Sequence, residues 1–168
     1  MTVPDAPTVR VRDYVPSDVQ ACLSVFDTNV PDYFLDAERP EFRAFLDALP
    51  GPYLVIEVEG RVVACGGHAV GKERPVADLC WGMVRRELHG HGFGRLLTEA
   101  RIEQAAREPG VDTIALNTSQ HTEAFYQRLG FRTVEIVRDG YAEGLHRHEM
   151  RLRLTGRDQP ASPEEGSA

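Results

Sequence analysis

A run of alternating glycines, a tyrosine phenol and a strand carboxylate are the parts of this chain that could do chemistry. The glycines lie in His89-Gly90-His91-Gly92-Phe93-Gly94. An apolar run from Leu79 to Val84 precedes them. Phe93, Leu96, Leu97 and Ala100 follow at i, i+3, i+4 and i+7, one face of a helix. Strand, glycine turn and helix start leave main-chain N–H groups with no partner inside the helix. Those donors and the positive end of the helix dipole attract phosphate. Glycines let the backbone approach such a ligand where a Cβ would collide. An ordinary tight turn before a core helix is the plainer alternative.

Spacing separates the nucleotide-binding patterns that use such glycines. A dinucleotide fingerprint starting at Gly90 needs glycine at position 95, which is Arg95. A Walker A loop needs a closing Gly-Lys-Ser/Thr, which is absent. What remains is Q/R-x-x-G-x-G/A, the cradle for the pyrophosphate of coenzyme A. The stretch Val84-Arg85-Arg86-Glu87-Leu88-His89-Gly90-His91-Gly92 resembles the V-x-P-E-x-x-G-x-G run of the GNAT superfamily of acetyl-CoA-dependent N-acetyltransferases. It departs from that pattern at Arg86, where proline is common, and at His89, where Gln or Arg is usual. A second segment runs from Leu116 to Phe131. Its end, Tyr126-Gln127-Arg128-Leu129-Gly130-Phe131, resembles the close of the GNAT segment A-x-x-Y-x-x-x-G-F.

The resemblance implies acetyl-CoA as cosubstrate and no metal. It assigns the diphosphate to the N–H groups of His89, Gly90, His91, Gly92, Phe93, Gly94 and Arg95, with Asn117 as a further coenzyme contact. It makes Tyr126 the general acid facing the sulfur, because a phenol of ordinary pKa about 10 can donate to a thiolate. The donor to the developing oxyanion is a main-chain N–H near Met83 or Val84. Something must also take the proton of the attacking amine. Asp78 lies where histone-type members carry a glutamate. It is one methylene shorter, so a bridging water suits it, and a solvated strand-end aspartate is the equal alternative. His121 and Glu143 are lesser candidates. Acceptor contacts are expected from the loops Asn29–Glu38 and Asp139–Leu145, hence Asp32, Tyr33, Glu38, Tyr141 and Glu143. Carboxylates beside aromatics suit a cationic amine.

Bulk properties agree with such an enzyme. The chain has 168 residues, 42% hydrophobic, and a net charge of −7. One domain is the default at this length. The acidic balance argues against a nucleic-acid binder, which needs a basic face. No apolar run approaches the ~20 residues of a membrane span, and no secretory signal is legible. Cys22, Cys65 and Cys80, an odd count in apolar surroundings, suggest reduced thiols in a cytoplasmic protein. Cys80 has no neighbour that would activate it, so the amine attacks the thioester directly through a tetrahedral intermediate. The pairs His89/His91 and His146/His148 could chelate on one strand face, but nothing completes a metal set at a familiar spacing. The expected function is acetyl transfer to a primary amine of a small molecule or peptide, with a homodimer left open. The rivals are an acyl-CoA-binding module with little turnover and transfer of a longer acyl group.

The elements that must position these residues follow from periodicity. Strands are expected at 8–13, 53–58, 61–70, 76–84, 112–117, 132–137 and 146–154. Helices are expected from Pro16, with Ser17 and Gln20 as a capping box, at Phe42–Leu49, from Gly92 to about Arg107, and at Gln120–Leu129. Glu59-Gly60 reads as a hairpin turn, and Gly130 as a left-handed helix cap. The order β-α-α-β-β-β-α-β-α-β-β implies an α/β (α+β) GNAT-like fold with a mixed, mostly antiparallel seven-stranded sheet and about four helices. The domain spans 1–154. Residues 155–168, rich in Pro, Ser, Glu and Gly, read as a disordered tail.

Overall fold

The computed structural model describes residues 4–73 and 75–154. The expected tail at 155–168 lies outside them. Alternating residues form β1 at Val9–Asp13, and longer apolar runs form β2 at Tyr53–Val58, β3 at Arg61–Val70 and β4 at Val76–Val84. The remaining strands are β5 at Thr113–Thr118, β6 at Arg132–Ala142 and β7 at Leu145–Arg153. The helices are α1 (Val19–Thr28), α2 (Arg39–Asp47), α3 (Phe93–Ala106) and α4 (Glu123–Arg128). The seven strands form one sheet in the order β1-β2-β3-β4-β5-β7-β6. Every neighbouring pair is antiparallel except β4–β5. Short turns permit only antiparallel neighbours, whereas α3 is long enough to carry the chain over to a parallel strand.

The two faces of the sheet carry different helices. Phe26 of α1 and Phe42 and Leu46 of α2 pack with Tyr53, Val55 and Cys65 on one face. Leu97 of α3 packs with Leu54, Ile56, Val63 and Val84 on the other. Ala105 of α3, the half-buried Tyr126 of α4 and Leu129 just after it close that second face over Ala77, Ile114, Leu116 and Met150.

Four local expectations change. The first helix is entered through a 3-10 turn, Pro16–Asp18, and its cap is not Ser17 with Gln20. Asp18 instead accepts the Val15 N–H at 2.9 Å. Its carboxylate is fixed there by Arg12 at 2.7 Å, a contact from β1 that local spacing cannot show. Helix α2 stops at Asp47, short of Leu49. Helix α4 is only six residues, starting at Glu123 rather than Gln120. The expected loop Asp139–Leu145 is mostly strand. Strand β6 runs to Ala142 with its ladder broken between Val137 and Ala142, and Glu143-Gly144 makes the turn. Glycines at 140 and 144 masked the alternation that would have revealed it. The hairpin turn at Glu59 and Gly60 is as expected, with φ of 50° and 75°. Gly130 is left-handed at φ 95°.

Candidate active site

Strands β4 and β5 pair only at Val76–Asp78 with Thr113–Ala115, after which they part. Beyond Asp78 the edge of β4 therefore faces a gap, an open cleft between these two strands. Residues Arg86–Leu88 make one 3-10 turn after β4, and the glycine run lies beyond it at the head of α3.

Gly90 and Gly92 have φ of 78° and 88°. A side chain there costs roughly 1–2 kcal/mol of backbone strain. No side chain caps α3, and its first internal bond runs from Leu96 N–H to Gly92 O at 3.0 Å. The amides just before Leu96 are the open donors of the helix start. Two histidines brace the turn. His89 Nε2 donates to Val84 O at 2.9 Å, and His91 Nδ1 donates to His89 O at 3.0 Å. Both are occupied as turn braces. Among the described residues no three His, Cys, Asp or Glu side chains come close enough to hold a metal ion. Gly94 packs on the ring of Phe125, which ties the turn to α4.

Tyr126 is half-buried on α4. Its ring meets Phe125 and Phe131 edge-on, with centroids at 5.0 and 5.7 Å. The start of α4 is fastened to the sheet by Glu123. That carboxylate accepts from Thr133 at 2.7 Å and lies 2.7 Å from Nδ1 of the buried His148, an ion-pair distance off the line of a hydrogen bond. Thr118 and Thr122 share a short hydroxyl–hydroxyl contact beside it. Asn117 is exposed at the end of β5, its Oδ1 accepting from Arg147 at 3.4 Å.

Asp78 is the last β4 residue paired with β5, at the vertex of the gap. Ala77 and Leu79 enter the core under α3, so strand alternation turns Asp78 and Cys80 toward the α1–α2 face. Burial raises the Cys80 thiol pKa, the Asp78 carboxylate raises it further, and Arg101 partly offsets both. A thiol held protonated is a poor nucleophile.

The acceptor candidates divide into two groups. Asp32 pairs with Arg86 at 3.2 Å, while Tyr33 stacks under the Arg86 guanidinium at 4.7 Å and meets the His89 ring edge-on at 5.0 Å. Both therefore lean on the glycine turn. Tyr141 sits on β6 rather than in a loop. Partial burial raises its phenol pKa, Arg147 opposes that, and Glu38 and Tyr126 raise it further. The α1–α2 loop, the β6–β7 hairpin and α4 are thus within electrostatic reach of one another. Glu143 is exposed in the hairpin turn, and His121 is exposed with its N–H on Ser119 Oγ at 3.3 Å. Gln120 ties the hairpin down. Its Nε2 donates to Gly144 O at 2.7 Å, and its Oε1 accepts from His146 N at 2.9 Å.

Three features of β4 went unread in the sequence. Trp81 has φ of 43°, a left-handed conformation that is unusual for a large side chain. It coincides with a register shift, since Cys65 faces Met83 while Gly67 faces Cys80. Arg101 of α3 is buried, its guanidinium pressed on the backbone: a Cβ at Gly82 would lie 2.5 Å from its Nη2. Among the described residues its Nε has no acceptor. The signal was the glycines inside apolar strands, at 66, 67 and 82, which mark bulges and close approaches.

Comparison with known proteins agrees with this architecture. The profile of the acetyltransferase (GNAT) family matches residues 22–131. The chain belongs to that family of acetyltransferases. Among solved structures it is similar to the ribosomal-protein-S18-alanine N-acetyltransferase of Escherichia coli, with TM-score 0.75 and 19% identity over 90% of this chain and 99% of that one. An aminoglycoside 6'-N-acetyltransferase complexed with coenzyme A gives TM-score 0.74 at 13% identity, over 89% of this chain and 99% of that one. A GCN5-related N-acetyltransferase from Kribbella flavida gives TM-score 0.71 at 24% identity, over 87% and 98%. No curated protein matches the chain. No described helix is long and apolar enough to cross a membrane.

Proposed function

We propose that this protein transfers the acetyl group of acetyl-CoA to a primary amine of a small molecule or peptide. The observation that carries the reading is one junction: a glycine turn with open amides heads α3 beside the gap where β4 leaves β5. The amides of residues 89–95 hold the diphosphate, and Asn117 lines the far wall. The thioester then lies along the free edge of β4, where main-chain N–H groups can stabilise the oxygen as it gains charge.

The amine nitrogen attacks the carbonyl carbon and the carbon–sulfur bond breaks. Asp78 takes the amine proton through a water, and Tyr126 gives its proton to the leaving sulfur. Solvent then restores both groups. Tyr141 and Glu38, close enough for the carboxylate to act on the phenol, receive the cationic acceptor. Two of the neighbours named above are, by name, acetyltransferases of a ribosomal-protein alanine and of an aminoglycoside, both amines, which supports an amine acceptor here. The test is release of free coenzyme A thiol from acetyl-CoA across a panel of amines, with the acetylated product confirmed by mass. Thiol release that depends on one class of amine supports the reading. Release no faster than without protein, across peptides, polyamines and aminoglycosides, rejects it.

A further inference from the structure

The strained point of β4 has a structural cause and a chemical consequence. Arg85 N–H bonds Val63 O at 2.8 Å, so residues 85 and 63 form a hydrogen-bonded antiparallel pair. Such pairs alternate along a ladder, which makes Met83 and Cys65 the next one. The main-chain groups of Val84 and Gly82 then point away from β3. The Val84 carbonyl agrees, since it accepts from Asn29 Nδ2 and His89 Nε2, both at 2.9 Å and both outside the sheet. At Trp81 the backbone turns left-handed and the ladder slips. There the phenol of Tyr53, reaching across from β2, donates to Trp81 O at 2.8 Å. In a trans peptide the N–H points opposite to the carbonyl. Fixing the Trp81 carbonyl toward β2 fixes the Gly82 N–H toward the open edge of β4.

We propose that Tyr53 is a positioning residue for acyl transfer, holding the Trp81–Gly82 peptide so that the Gly82 N–H is the donor to the thioester oxygen. The inference rests on the acetyltransferase reading above and moves its oxyanion donor from the expected Met83 or Val84 to the amide of Gly82; the Met83 amide is turned to β3. Three further observations fit. Tyr53 is buried, and burial holds its phenol far above the ordinary pKa, so it remains a donor at every working pH. The Trp81 ring is stacked against Phe42 and Phe34 at 5.0 and 5.9 Å, which holds its backbone in a conformation it would otherwise leave. On the other face the Arg101 guanidinium fills the space a Gly82 side chain would take, adding positive charge behind the same peptide. Phe34 belongs to the loop expected to meet the acceptor, so the stack joins acceptor loop and amide.

The chain has one tryptophan. Carbonyl-13C tryptophan with 15N glycine therefore gives a single correlated NMR signal, that of the Trp81–Gly82 peptide. The expected result is that the Gly82 amide proton moves downfield with acetyl-CoA relative to free coenzyme A. In Tyr53→Phe the Trp81 carbonyl signal shifts and that movement is lost. The same variant is expected to lower kcat roughly tenfold while coenzyme affinity stays within about twofold of wild type; Tyr14→Phe, whose ring only touches Tyr53 edge-on, keeps full kcat. A Gly82 amide that is the same with both ligands overturns the inference, as does unchanged kcat in a folded Tyr53→Phe. A wild-type protein that binds neither ligand rejects the acetyltransferase reading itself. Should Tyr53→Phe fail to fold, the wild-type comparison of the two ligands decides alone.

Discussion

The two sides of the gap beside β4 are built differently. The side assigned to the coenzyme is main chain: left-handed glycines at 90 and 92 and the uncapped start of α3. The side assigned to the acceptor is side chains from distant segments: Glu38 after α1, Tyr141 on β6, and Gln120 bracing the hairpin. A diphosphate is the same in every acyl-CoA, so a backbone cradle suffices for it. An acceptor differs from enzyme to enzyme, and side chains on a loop and a hairpin can vary without disturbing the sheet.

Substitutions should separate the two sides. The largest effect is expected from Gly92→Val. Backbone strain plus misaligned amide donors amount to about 4 kcal/mol, or roughly a thousandfold loss of coenzyme A affinity by calorimetry. An affinity within threefold of wild type would mean the cradle lies elsewhere. Tyr126→Phe should lower kcat about a hundredfold while coenzyme affinity is kept; equal loss of both would reduce Tyr126 to a packing residue.

A third change touches neither side. Asp18→Asn removes one of the two charged partners of Arg12 in the Arg12–Asp18–Glu57 network and should cost about 2 kcal/mol in denaturant unfolding, discounted for the partial exposure of Arg12. Arg12 holds the Asp18 pKa below its usual value. That stabilisation is full above the unfolded pKa of about 4 and fades as pH falls through the lower folded value. Wild type and variant should therefore converge in acid, and a gap that widened there would reverse the assignment. Gln120→Ala frees the hairpin by two hydrogen bonds of about 1 kcal/mol each. It should raise the acceptor KM several-fold and leave the acetyl-CoA KM alone. Cys80→Ser should leave kcat within about twofold, since burial favours the protonated thiol and the proposed route attacks the thioester directly; a dead variant would point to a covalent route.

What could be read beforehand follows the same division. The glycine turn and the order of strands are legible patterns, and the structure keeps both, while the helix carrying Tyr126 is kept only from Glu123 to Arg128. The cap by Asp18 was missed because its anchor, Arg12, comes from another strand. The extent of β6 was missed because glycines break its alternation. Asp32 and Tyr33 are in the expected loop, yet Arg86 and His89 engage them, a tertiary pairing with no trace in spacing. Trp81, Tyr53 and Arg101 converge on Gly82 from three elements. Only the interior glycines hinted at that meeting point.

The central claim is that main-chain amides at residues 89–95 grip the diphosphate of a thioester carrier. Calorimetric titration of the wild-type protein with coenzyme A and with acetyl-CoA tests it directly. Saturable one-to-one binding of both, lost in Gly92→Val, is the predicted result. An absence of binding heat with either ligand, from folded protein, would contradict it.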